Sequence, residues 1–166
     1  ELLCSLGQNV MITNFQQYFK LVEYFSEFTK ERMALAMGVN NLIQIFDEKY
    51  YRNLSGGILE AFGKLFYRDL KVYMYPYKDQ ETGTYVNTEN LKVHPRMKEL
   101  YKFFKNNGRL INIDDFDPET LDIFSRTVLK MIVNGDKGWE EMLPEGIPEI
   151  IKQKRLFGYS KTRVKK

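Results

Sequence analysis

The sequence predicts an α/β fold with a mainly parallel sheet, on three observations. Short apolar runs at 8–13, 33–37 and 70–75 alternate with segments of helical spacing. The connections between those runs are long enough to be crossovers, which return the chain in the same direction. The composition, 43% hydrophobic and 14% aromatic with 12 Phe and 11 Tyr, supplies a packed core. At 166 residues the chain is of single-domain size, able to bury roughly 70% of its unfolded surface.

The elements follow in order. Gln8-Asn9-Val10-Met11-Ile12-Thr13 reads as a buried strand. Asn14 is placed to cap a helix in which Phe15, Tyr18, Phe19, Val22 and Phe25 recur every three or four residues, with Leu21, Tyr24 and Phe28 as a second stripe. Met33-Ala34-Leu35-Ala36-Met37 is a second strand, or a helical piece, ending at Gly38-Val39-Asn40-Asn41. Leu42, Ile45, Phe46 and Tyr50 continue at helical spacing to Asn53. Leu54-Ser55-Gly56-Gly57 breaks that segment, and Ser55 can cap the next, whose apolar face is Ile58, Leu59, Phe62, Leu65 and Phe66. Leu70 to Tyr75, closed by Pro76, is the third strand.

From Lys78 to His94 the chain is polar, with Glu81-Thr82-Gly83-Thr84 as a turn, and forms a mobile loop or short hairpin. A helix after Pro95 buries Met97, Leu100, Tyr101, Phe103 and Phe104 and stops at Asn107-Gly108. Leu110 to Ile113 is a short edge strand. Asp117 caps a helix with Pro118 in its first turn and Leu121, Phe124, Val128, Met131 and Ile132 on its core side, ended by Asn134-Gly135. A last short helix begins near Pro144 to Ile151. The architecture is a Rossmann-like, three-layer domain over residues 1–158 with carboxyl-terminal helices, followed by a basic, flexible tail at 159–166.

Charge and composition limit the function. With 25 basic and 22 acidic residues interspersed, the net charge is +3, and nucleic-acid binding is not indicated. The tail Lys161 to Lys166 is a solvated end, or else a contact for a membrane or phosphate backbone. Cys4 is the only cysteine, which excludes an internal disulfide and fits a reducing compartment, with the thiol buried or inert. No apolar run has membrane-spanning length and no signal peptide is visible, so a cytoplasmic location and no membrane partner are expected. The start at Glu1, directly before an apolar segment, suggests a piece of a longer protein.

In open α/β sheets ligands bind beyond the carboxyl ends of the strands. Asn14, Gly38 and Asn40 are expected there, where neutral amides suit a base, a ribose or a phosphate; each asparagine could equally be a helix cap. Gly56 and Gly57 open a helix whose free N–H groups could hold an anion, although Glu60 would compete for them and a tight turn explains them as well. His94, the only histidine, excludes a histidine-rich metal site; it could contact phosphate or donate a proton, or serve as a cap. Asp114-Asp115-Phe116-Asp117 is a cation site or a solvated loop with one cap. No metal site and no intrinsic cofactor are expected.

Ser125-Arg126, then Met142-Leu143-Pro144-Glu145-Gly146-Ile147-Pro148-Glu149-Ile150-Ile151 and Leu156-Phe157-Gly158-Tyr159, resemble the end of nicotinate-nucleotide adenylyltransferases. More broadly, 10–29, 50–66 and 72–76 look like the carboxyl-terminal region of long bacterial proteins carrying that name. The family's His-x-Gly-His signature is absent, and Leu129 with Lys130 stands where its arginine is expected. The resemblance therefore implies a domain attached to a catalytic unit, or a diverged fold. It implies AMP transfer from ATP to a pyridine mononucleotide with Mg²⁺, and nucleotide phosphates at Ser125 and Arg126. The alternative is a non-catalytic interaction or regulatory domain covered by a partner domain, with an exposed apolar patch drawn from Phe15, Tyr18, Tyr50, Tyr51 and Tyr101.

Overall fold

The structure is a computed structural model and describes residues 2–5 and 7–160. The chain divides into two compact units. One is Thr13–Phe116; the other combines Glu1–Ile12 with Asp117–Lys166.

A single helical turn, α1 (Leu2–Ser5), carries Cys4, which is exposed, so of the two expected states, buried or inert, the buried one does not hold. The strand expected at 8–13 does not form. Val10 and Met11 are about half exposed and Ile12 is 96% exposed. Apolar, β-branched residues favour a strand only where a neighbouring strand receives their backbone groups, and among the described residues these have no such partner. The absence of this strand also moves Asn14. It lies in irregular, exposed backbone, while α2 (Tyr18–Phe28) starts after Gln17 with no side-chain cap. Just upstream, the Thr13 hydroxyl accepts the Phe15 N–H at 3.1 Å, a local turn that competes with helix.

The Thr13–Phe116 unit then runs β1 (Ala34–Gly38), α3 (Val39–Ile45), a 3₁₀ turn (Glu48–Tyr51), α4 (Gly57–Leu65) and β2 (Lys71–Tyr75). A two-residue hairpin pair, β3 (Tyr77–Lys78) and β4 (Tyr85–Val86), is followed by α5 (Lys98–Asn106) and β5 (Leu110–Asn112). The class expected from the sequence is what forms: an α/β fold whose three-stranded sheet is wholly parallel, in the order β1-β2-β5. The expected edge strand at 110–113 supplies the third strand in place of 8–13.

Register sets the faces. Leu35 pairs with Val72 and Met37 with Met74, while Val72 and Met74 pair with Leu110 and Asn112. Val72 and Met74 are fully buried, whereas Lys71, Tyr73 and Tyr75 on the alternate face are only partly so. With consecutive strands adjacent, right-handed crossovers bring α4 and α5 to the same face. Their rings meet there. Phe62 packs edge-on against Phe46 at 4.9 Å and Phe104 at 5.1 Å, and Phe66 stacks on Phe104 at 4.2 Å. Phe19 and Val22 of α2 complete this core.

Three local expectations change. The helix predicted to reach Asn53 stops at Ile45, because Asp47 leaves helical geometry and caps the 3₁₀ turn through Lys49 N–H. Gly56, not Ser55, is the N-cap of α4. Phe103 is 60% exposed and not on the buried face of α5. Gly83 and Gly108, at φ 69° and 66°, end the turn and the helix where expected.

In the other unit, the helix predicted from Asp117 breaks at Phe124. Asp117 caps a separate 3₁₀ turn, Pro118–Asp122, and α6 (Ser125–Asn134) follows, ending at Gly135 with φ 73°. α7 (Ile147–Lys154) then carries Pro148 in its first turn. Val128, Ile132, Trp139 and Ile151 form this unit's core, with Met131, Met142, Leu143, Ile147 and Tyr159 against it. Among the described residues no helix is long and apolar enough to cross a membrane. The basic stretch Lys161 to Lys166 lies outside the described residues.

Candidate functional site

Parallel pairing puts the ends of β1, β2 and β5 on one side, at Gly38, Tyr75 and Asn112. Part of that side is filled by the chain itself. Asn112 Oδ1 accepts the Thr88 N–H at 2.8 Å, and Thr88 O accepts the Tyr101 hydroxyl at 2.8 Å. The rings of Tyr75 and Tyr85 both pack on Phe116, at 6.1 and 5.9 Å. The hairpin and the 87–94 loop are thereby held over the ends of β2 and β5.

The expected residues are distributed as follows. Gly38 ends β1 and is the N-cap of α3, with open space where a Cβ would stand, and Asn40 is exposed in the first turn. Neither asparagine is a helix cap. Gly56 N–H is donated to Glu60 Oε2 at 3.0 Å, so the carboxylate occupies the place an anion would take at the start of α4. That bond and the Lys64 ammonium at 3.2 Å hold the Glu60 carboxyl below the usual range. Gly57 follows at φ 56°. Ser125 and Arg126 open α6 in the other unit, both exposed, with no cap bond from Ser125 and no ion pair for Arg126 among the described residues. Asp114 and Asp115 are exposed, and no group of three His, Cys, Asp or Glu side chains able to hold a metal is gathered among the described residues.

His94 is different, because it lines a groove of about 520 Å³ with Ile43, Phe46, Asp47, Glu48, Lys49, Arg52, Arg96 and Met97. That volume lies within the range of small-molecule sites. Two capped turns build its walls. On one side Asp47 caps the Glu48–Tyr51 turn and holds Lys49 Nζ at 2.6 Å; this contact keeps the Asp47 carboxyl low and raises the ammonium. On the other, His94 Nδ1 accepts the Arg96 N–H at 3.3 Å at the head of Pro95–Met97. With Nδ1 accepting, neutral His94 carries its proton on Nε2 and is a donor there. The two walls are brought together by packing of Phe46 on Tyr101, 5.2 Å between rings. Ile43, 39% exposed, gives the groove an apolar side, backed by buried Phe46 and Met97.

Its charges are unevenly matched. Asp47 is answered by Lys49, and Arg52 acts on Asp47 only at longer range. Neither Arg52 nor Arg96 forms an ion pair among the described residues. Two guanidinium groups, one imidazole N–H and a single unanswered carboxylate, Glu48, therefore face an open volume. This suits an anion with a planar or apolar portion.

Sequence reading found His94 but missed Arg52 and Arg96. They stand 44 positions apart and belong to no motif; only the meeting of α3 with α5 juxtaposes them. The one local sign was Asp47 two residues before Lys49, the spacing of a cap that stops a helix. No protein family, curated protein or solved structure matches the chain.

Proposed function

We propose that the Thr13–Phe116 unit binds a phosphate-bearing nucleotide in the groove between the Glu48–Tyr51 turn and His94. The observation that carries this reading is the pair Arg52 and Arg96, both without an ion partner among the described residues, beside the exposed apolar side chain of Ile43 with Phe46 and Met97 behind it. Guanidinium groups recognise phosphate oxygens bidentately, and an apolar wall accepts a base or pyridine ring. Glu48 supplies an acceptor for a ribose hydroxyl.

The reaction attached to that ligand is the one the resemblance implies, AMP transfer from ATP to a pyridine mononucleotide. Such transfer rests on positioning and charge stabilisation, which arginines provide without a protein nucleophile. Magnesium would enter with the ATP phosphates, since no protein cage of three ligands is gathered among the described residues. Gly38 and Asn40, at the other end of α3 from this groove, stay candidates for a ligand at the strand ends, and Ser125 and Arg126 stay candidates within the other unit.

Calorimetric titration of the chain with ATP, a pyridine mononucleotide and inorganic phosphate tests the reading. Binding is expected for the nucleotides, weakened at least tenfold in Arg52→Ala and Arg96→Ala. Heat-free titrations with every nucleotide at millimolar concentration would overturn it.

A further inference from the structure

The solvent face of α2 is aromatic where an ordinary surface helix is polar. Phe19 and Val22 point into the core, and the opposite side carries Lys20, Tyr24, Glu27 and Phe28 at spacings of three and four residues. Phe28 is 70% exposed, Tyr24 40% and Phe25 37%. The rings form one connected group: Tyr24 lies 5.0 Å from Phe28, 5.7 Å from Phe25 and 5.6 Å from Phe15. The group is one contiguous patch and not rings scattered singly over the surface, and a patch of this size is often an interaction site.

We infer that this face binds a second copy of the chain, α2 against α2 in antiparallel orientation across a two-fold axis near Tyr24. The charge pattern selects that occupant. Lys20 and Glu27 flank Tyr24 on the same face, and neither has an ion partner among the described residues. In an antiparallel pair centred between Glu23 and Tyr24, each Lys20 meets the partner's Glu27, so one symmetry operation makes two ion pairs and answers every one of these charges once. A lipid surface fits poorly, because the same helix also bears Glu23 and its net charge is negative.

The area decides the strength. At roughly 200 Å² per buried aromatic ring, the exposed parts of these four residues offer about 350–400 Å² per protomer. That is below the ~800 Å² per partner of a stable complex, so the dimer is transient and concentration-dependent. The inference does not depend on the nucleotide reading.

Sedimentation velocity from micromolar to millimolar concentration reads the association directly. Wild-type protein is expected to shift from monomer to dimer across that range, and Phe28→Glu to stay monomeric with an unchanged circular dichroism spectrum. Lys20→Glu and Glu27→Lys should each weaken association about tenfold, and the double variant should restore it, because the exchanged charges again meet their opposites. A wild type that is monomeric throughout, a double variant as dissociated as the single ones, or a dimer untouched by all four changes would each overturn the proposal.

Discussion

Asn112 Oδ1 accepts the Thr88 N–H at 2.8 Å, tying the last residue of β5 to the loop that leads to His94. Thr88 is 2% exposed, so this N–H has no water to turn to. Asn112→Ala should therefore lower stability by about 1–3 kcal/mol, the range for a buried donor left unmade. Asn112→Asp, which keeps the acceptor, should recover most of it. Urea denaturation measures the loss, and faster amide exchange at Thr88 in the alanine variant locates it.

Two buried tyrosines make the protein sensitive to alkali. Burial pushes Tyr51 and Tyr101 up to about 12, with Asp47 and Glu89 respectively adding to the effect. Each hydroxyl donates to a backbone carbonyl, Ile45 and Thr88, at 2.8 Å. The unfolded chain releases these protons near pH 10 and the folded one does not. Their stabilisation is whole below pH 10 and falls as pH rises toward 12, by on the order of 2–3 kcal/mol per ring. Urea midpoints at pH 9 and pH 11.5 should differ accordingly, and the double variant Tyr51→Phe, Tyr101→Phe should flatten the difference.

Trp139, 2% exposed, centres the core of Val128, Ile132 and Ile151, with Lys152 Nζ 5.4 Å from its ring and 2.8 Å from Glu140. Trp139→Ala should remove about 3–5 kcal/mol from this unit. As the only tryptophan, its emission follows this unit alone. Hydrogen exchange should show α6 and α7 losing protection in the variant while α4 and β2 keep theirs.

At the start of α4, an added Cβ on Gly56 would lie 2.9 Å from Glu60 Cβ, whereas one on Gly57 meets nothing within 4 Å. Gly57→Ala should thus cost only the left-handed backbone, about 1 kcal/mol. Gly56→Ala must displace Glu60 and release the Gly56 N–H. Thermal melts should show the larger fall in Gly56→Ala, and Glu60→Ala should shift the melting temperature in the same direction.

Alternation of Leu70, Val72 and Met74 made β2 legible, buried positions three apart such as Phe62 and Leu65 or Tyr101 and Phe104 did so for α4 and α5, and glycine ends the turn or helix at Gly83, Gly108 and Gly135. The sequence left β1 as a strand or a helical piece, and it placed Leu59 and Phe103 inside although they are 65% and 60% exposed. It misled at 8–13, where a strand-like run lacks a partner, and on α2, where Tyr24 and Phe28 continue a helical stripe that packing leaves outside. Periodicity says which residues share a face, not whether anything covers it. The groove escaped for another reason. Arg52 and Arg96 come together through the contact of Phe46 with Tyr101, a tertiary relationship with no local signal, and only His94, conspicuous as a lone histidine, could be singled out beforehand.

The strand order β1-β2-β5 has a bearing on how the chain is made. Each strand that leaves the ribosome finds its neighbour already synthesised and adds beside it, and none has to be inserted between two others. The sheet can grow in one direction with synthesis, α4 closing over β1 and β2 before β5 exists. The ring of Phe62, seated between Phe46 and Phe104, would then be covered from one side first and sealed only when α5 arrives.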